Sequence, residues 1–231
     1  MQSPDTTNKI IGVSAATWAA DGNQRCLTCN AQTTCTGLNI GATLTWGGFA
    51  RASGDVNIRG LLEGPAQTAG KPNFGIYRDA VNDRLVCTVT NVSDTEVAAN
   101  GATSGWANDN AFHQVLCEFN DSTDLLQPYI NTATSGSAAS VTSMRTVSGS
   151  PGRPDFYIGY ESGVGPFAWQ GQFDEAFIYS GILSATSKCR ICSCGVDGTL
   201  CSCSGASFVS TGRNSSCGSC SLPANCSAST P

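Results

Sequence analysis

Phe112-His-Gln-Val-Leu-Cys-Glu-Phe119 is the stretch that decides the fold of this chain. Val115, Cys117 and Phe119 fall on one face of an extended backbone, with His113 on the same side at the start. A period of two is the mark of a β-strand with one buried face. The same alternation places Leu85, Cys87 and Val89 on one side of a strand over 84–90. The segments 74–77 and 84–90 flank the turn-rich Asp79–Asp83 and read as a hairpin. A strand over 125–130 contains Pro128, which suggests a sheet edge or a bulge. Leu44 and Trp46 share a face, and Gly47-Gly48 then breaks the alternation before Phe49, so a bulge or tight bend is expected there. Segments 9–18, 56–62, 156–160 and 173–179 complete the set, with Phe173, Phe177 and Tyr179 in phase. Apolar spacing of 3.6 residues never lasts beyond two turns, and 184–191 offers one short helical turn. Short strands separated by turn signals, with a period of two, predict an all-β, two-sheet antiparallel sandwich.

Composition narrows the partners. The chain has 231 residues and a formal net charge of −5. It lacks the basic surface that phosphate backbones require, so nucleic acid is excluded as a main partner. Charged residues make up 13%, while Ser (27), Thr (23) and Gly (26) are abundant, giving a neutral, hydroxylated surface. No run of 18 apolar residues exists, so no membrane-spanning helix is expected. Met1 to Ala20 shows no basic segment followed by an apolar run, so no signal peptide is visible. Either a signal has been removed or the chain is not secreted, and the cysteines favour an extracellular protein.

Those cysteines number thirteen: Cys26, Cys29, Cys35, Cys87, Cys117, Cys189, Cys192, Cys194, Cys201, Cys203, Cys217, Cys220 and Cys226. Cys189-x2-Cys192 and Cys217-x2-Cys220 have the spacing of a zinc site. The surplus at 194, 201, 203 and 226 exceeds one such site, and we read the cluster as disulfides. An odd count leaves either one buried thiol or a bond to another chain. Residues 26–35 read as a small stapled loop. Cys87 and Cys117 each lie in phase with apolar neighbours and are expected to bridge, as neighbours in one sheet; the alternative is two buried thiols. Near Lys188 the composition changes, since Phe208 is the only aromatic residue in 189–231. We therefore divide the chain into a sandwich, 1–188, and a disulfide-bonded, irregular tail, 189–231. Asn91, Asn120, Asn214 and Asn225 head glycosylation sequons.

From Ala42 to Ser184 the chain resembles the concanavalin A-like, laminin-G-type jelly roll in its secreted bacterial form. The resemblance is carried by Thr43–Arg51, by Phe112-His-Gln-Val115 leading to Leu126-Gln-Pro-Tyr-Ile-Asn131, and by Phe156-Tyr-Ile-Gly159. Trp169-Gln-Gly-Gln-Phe-Asp-Glu-Ala-Phe-Ile-Tyr179, followed by Leu183-Ser184, completes it. The sequence departs from that family at Phe112, where Trp is usual, and at Thr132, where Gly usually follows Asn131. The resemblance implies a jelly-roll sandwich and a structural Ca²⁺, with Asp174 and Asp21 as the carboxylate candidates.

Catalysis is not expected. The Glu-x-Asp-x-Glu strand of glycosidases that share this fold is missing, as are the nucleophile elbow, HExxH and P-loop motifs. Asp174 and Glu175 are adjacent and so would face opposite ways on a strand. For sugar binding, Trp106, Asn108 and Asp109 in an Asn-rich loop are the candidates; the competing role for Trp106 and Trp169 is to plug the sandwich ends. The expected function is non-catalytic binding or adhesion, with a carbohydrate or a surface protein as partner. The alternative is a structural subunit that self-associates into an extracellular filament through edge strands and the tail.

Overall fold

The computed structural model describes residues 16–18, 27–30, 43–52, 59–68, 71–79, 81–103, 106, 109, 111–145, 155–159, 169 and 171–194. The strands are β1 (Ala16–Trp18), β2 (Leu27–Asn30), β3 (Leu44–Ala52), β4 (Arg59–Glu63), β5 (Phe74–Asp79), β6 (Arg84–Thr90) and β7 (Glu96–Asn100). They continue with β8 (His113–Asn120), β9 (Leu125–Ile130), β10 (Ala133–Thr134), β11 (Ala139–Ser140), β12 (Asp155–Ile158) and β13 (Gly171–Ser180), and one helix follows, α1 (Ala185–Cys194). Two antiparallel sheets form a sandwich. Sheet A runs β1-β13-β3-β8-β9-β10, with β11 also on β9, and sheet B runs β2-β12-β4-β5-β6-β7. The expected all-β jelly-roll sandwich is what forms.

Alternation decides what lies between the sheets. Leu44, Trp46, Ala50 and Ala52 from β3 meet Val115, Cys117 and Phe119 from β8. Across the gap, sheet B supplies Phe74, Ile76, Leu85, Cys87 and Val89. The Trp46 indole N–H donates to the carbonyl of Gly75 on the facing sheet at 3.1 Å.

Cys87 and Cys117 form the expected disulfide, with Cα atoms 5.7 Å apart. Their strands are not neighbours in one sheet, however: Cys87 lies on β6 of sheet B and Cys117 on β8 of sheet A. Apolar phase shows that both side chains face the core but cannot show from which sheet, so the bridge is a bolt through the sandwich.

The irregularity expected at Gly47-Gly48 lies on the partner strand. β3 pairs with β8 without a shift from Leu44 to Ala50. On the other side, Glu175 and Ala176 of β13 together oppose Gly48, because the register shifts between Asp174 and Phe177. Glu175 takes φ 50° in this bulge. Gly48 makes room for it: a Cβ there would fall 2.8 Å from the Asp174 carbonyl and from the Phe173 ring. The extra residue reverses the parity, so Phe173 and Ile178 enter the core while Phe177 joins the opposite face. Phe173, Phe177 and Tyr179 are therefore not in phase.

Other expectations meet the strands differently. Leu27–Asn30, read as loop, pairs with β12 as a strand. Pro128 sits opposite Cys117 on one side, while on the other it falls between the short pairings of β11 and β10, where its missing N–H leaves no ladder bond unmade. The helical turn expected over 184–191 begins α1, which runs past position 188. The Ser184 hydroxyl caps it by accepting the Ser187 N–H at 3.0 Å. Leu183 and Ile191 pack on Leu116, Phe177 and Tyr129, covering part of the outer face of sheet A.

Candidate functional site

Trp106 and Asp109 both meet His113, at the start of β8. Trp106 is 3% exposed and stacks on Trp169, with centroids 6.4 Å apart and planes 7° apart. A buried ring offers no open face to a sugar, so Trp106 has the plugging role rather than the stacking one. Asp109 keeps half its side chain in solvent and meets His113 Nε2 at 2.9 Å. Asn131 holds the other side of the ring. Its Oδ1 accepts the Gln114 N–H, so its Nδ2 faces His113 Nδ1 at 2.9 Å. The network therefore makes Nδ1 the acceptor and Nε2–H the donor to Asp109. His113 is a fastener between strand and loop, with the Trp106 ring edge-on at 6.0 Å. Asn108 lies outside the described residues.

The remaining expected residues are dispersed. Asp174 is buried, 7% exposed, in the bulge, where its Oδ1 accepts the Glu175 N–H at 2.8 Å. Among the described residues no three His, Cys, Asp or Glu side chains gather as metal ligands, and Asp21 lies outside them. Asn91 and Asn120 head turns at strand ends, each with its side-chain oxygen accepting the N–H two residues on. Cys192 is disulfide-bonded and Cys189 is buried. Cys29 and Cys194 fall within β2 and α1. Cys26, Cys35, Cys201, Cys203, Cys217, Cys220, Cys226, Asn214 and Asn225 lie outside the described residues.

A second constellation, on the outer face of sheet B, was missed in the sequence. Strand register lines up Tyr157, Glu63, Gly75, Thr88 and Ala98 across five strands, β12-β4-β5-β6-β7. Alternation from the core residues Phe74, Ile76, Cys87, Val89 and Ala99 turns this row away from the core. Glu63 is fully buried, and the Tyr77 hydroxyl donates to its Oε1 at 3.1 Å. Thr88 is 3% exposed, and its hydroxyl has no hydrogen-bond partner among the described residues. Glu96, Ala98 and Asn100 on β7 form the exposed side of this face, and Tyr157 is half-buried. Partial desolvation pushes the Glu96 carboxyl above its ordinary value, the charge of Glu63 adds to the rise, and Lys71 opposes it. Toward solvent the face presents the Glu96 carboxylate and the Asn100 amide on β7 and part of Tyr157, while Glu63, Tyr77 and Thr88 are buried within it. No local motif marks it, because its residues come from positions 63 to 157 and meet only through lateral register.

No protein-family model and no curated protein matches the sequence. Solved structures do match. A leech intramolecular trans-sialidase superposes with a TM-score of 0.60 at 13% identity, over 81% of this chain and 28% of that one. The NanB sialidase from Streptococcus pneumoniae gives 0.56 at 13% identity, over 75% and 26%. The CBM40 of the Ruminococcus gnavus IT-sialidase gives 0.53 at 12% identity, over 77% and 93%. The chain thus spans little more than a quarter of either sialidase but nearly all of that module. At these identities the likeness establishes the β-sandwich fold.

Proposed function

We propose that this chain is a non-catalytic, extracellular glycan-binding module that binds through the outer face of sheet B. The observation that carries the reading is the solvent side of this face, where Glu96 and Asn100 of β7 flank Ala98 and the register row runs on through Thr88, Gly75 and Glu63 to the half-buried Tyr157. Sugars present hydroxyl donors to carboxylates and amides, and C–H faces to aromatic rings. The fold supports the reading, because the similar Ruminococcus gnavus CBM40 has been solved bound to α2,3 sialyllactose. The disulfide Cys87–Cys117 supports an oxidising compartment. Among the described residues no helix is long and apolar enough to cross a membrane.

A glycan array, followed by isothermal titration of the retained sugars, tests the proposal. Retention of at least one glycan, lost in Glu96→Ala or Tyr157→Ala while both variants keep the wild-type melting temperature, is the expected result. An array on which the folded chain retains nothing overturns it.

A further inference from the structure

Asn100 and Gly101 stand at the end of β7, an edge strand of sheet B, and form the one Asn-Gly pair in the sequence. Gly101 is buried, and its place admits no side chain. A Cβ there would fall 2.9 Å from the Leu85 carbonyl oxygen and 2.9 Å from Ser135 Oγ. Packing therefore demands glycine directly after an exposed asparagine. That dipeptide is chemically labile. Glycine has no side chain to shield its backbone nitrogen, and its chain bends freely, so the nitrogen can reach the asparagine side-chain carbonyl.

The fold holds this nitrogen back. The Gly101 N–H donates to the Leu85 carbonyl at 2.7 Å and continues the regular β6–β7 ladder. One residue on, the Ala102 N–H donates to Ser135 Oγ at 3.1 Å. Gly136, at φ 70°, lies so close that a Cβ on it would strike the Asn100 carbonyl. Ser135 and Gly136, between β10 and β11 of sheet A, thus clasp the end of a strand of sheet B.

We propose that Asn100 is a deamidation site that this clasp keeps closed, so that its modification records each opening of the β7 end. In the opened chain the Gly101 nitrogen loses its proton to solvent base and bonds to Asn100 Cγ. The Cγ–Nδ2 bond breaks, Nδ2 takes up a proton and leaves as ammonia, and a succinimide remains. Water then opens either ring carbonyl and yields aspartate or isoaspartate. Both products put a carboxylate where the outer face of sheet B had an amide. Isoaspartate also routes the main chain through Cβ, and the added atom throws the Gly101 and Ala102 N–H groups out of register with Leu85 and Ser135. The step is one-way. It loosens the connection from β7 to β8, which brings Trp106 and Asp109 to His113.

Peptide mass spectrometry of the full chain, aged at mildly alkaline pH, tests this whether or not the chain binds sugar. Held unfolded in urea, the chain modifies Asn100 ahead of every other asparagine. The native chain modifies it more slowly than that, yet faster than its globally unfolded fraction allows, because reaction follows the locally opened population. Ser135→Ala removes one bond of the clasp and speeds native modification about five-fold, and Asn100→Gln abolishes it. The global unfolding free energy of each variant, from urea titration, separates the two kinds of opening. A native rate equal to the unfolded one shows that nothing is locked. A native rate that merely matches the globally unfolded fraction, or one unmoved by Ser135→Ala, shows that the clasp is not the lock. Any of these results, or an unfolded chain that spares Asn100, overturns the proposal.

Discussion

Lys188 Nζ lies 2.7 Å from Glu118 Oε2, and both side chains are more than nine-tenths buried. The pair joins α1 to the middle of β8. Glu118 Oε1 accepts the Leu183 N–H at 3.2 Å, the Lys188 carbonyl accepts from Gln114 Nε2 at 3.1 Å, and the ammonium sits 3.6 Å from the Tyr129 ring centroid. Breaking one member of such a pair leaves a buried charge uncompensated, which costs about 3–5 kcal/mol. Lys188→Met should therefore lower the unfolding free energy in urea by that order, while the double variant Lys188→Met/Glu118→Leu should recover most of the loss. A double variant no more stable than the single one would show that the pair is not the source of the effect.

The bolt between the sheets sets a second expectation. Cys87 and Cys117 are 30 residues apart, so closing that loop in the unfolded chain is worth about 3–4 kcal/mol. Cys87→Ala/Cys117→Ala should lose that order of stability in denaturant titrations, with some further loss from the vacated core. Glycan binding should survive in the fraction that remains folded, because neither cysteine reaches the outer face of sheet B.

Much of this fold was readable where one physical pattern acts alone. Val115, Cys117 and Phe119 alternate because one face of β8 is buried, and the hairpin of β5 and β6 follows from the turn residues between them. Reading failed where a second pattern intervened. One added residue at Glu175 moves Phe177 off the core face, and no local composition announces a bulge whose space is provided by Gly48 on another strand. The Cys87–Cys117 contact was legible as a contact but not as an inter-sheet one, since phase reports the side a residue faces and not the layer it comes from. The candidate binding face was not legible at all. Glu63, Tyr77, Thr88, Glu96 and Tyr157 are ordinary strand residues until the register sets them side by side.

Acid should probe the fastener at His113. Burial would push the Asp109 carboxyl up, but the Ala111 N–H and the hydrogen bond and charge of His113 outweigh it and hold Asp109 below the ordinary aspartate value. A carboxyl depressed in the folded state adds stability above its unfolded pKa, and that stability is lost as pH falls through the folded value. His113→Phe removes the partner, so Asp109 should titrate higher by carbon-detected NMR, and the loss of stability attributable to Asp109 on acidification should shrink. An Asp109 titration unmoved by the substitution would show that the turn backbone alone holds it. Because half of this carboxylate is in solvent, the effect will weaken in high salt.

The turn between β9 and β10 carries strain at one of its two residues. Ile130 pairs with Ala133, so Asn131 and Thr132 alone make the turn, with φ of 50° and 72°. Two left-handed residues in a two-residue hairpin are the type I′ arrangement, which favours Asn followed by Gly. Asn131 suits its position and uses its side chain, accepting the Gln114 N–H and reaching His113 Nδ1 at 2.9 Å. Thr132 is β-branched, and a left-handed conformation costs such a residue about 1–2 kcal/mol. Thr132→Gly should relieve that strain, although the flexible unfolded chain takes part of the gain back. The backbone share of the effect is about 1 kcal/mol of added stability, set against what the threonine side chain itself contributes. Asn131→Gly also accepts the left-handed conformation but loses both side-chain hydrogen bonds, so it should destabilise by about 1–2 kcal/mol. Opposite signs at adjacent turn positions, read from urea midpoints at unchanged slope, would separate backbone strain from side-chain bonding. A destabilised Thr132→Gly would mean that the threonine side chain contributes more than its conformation costs.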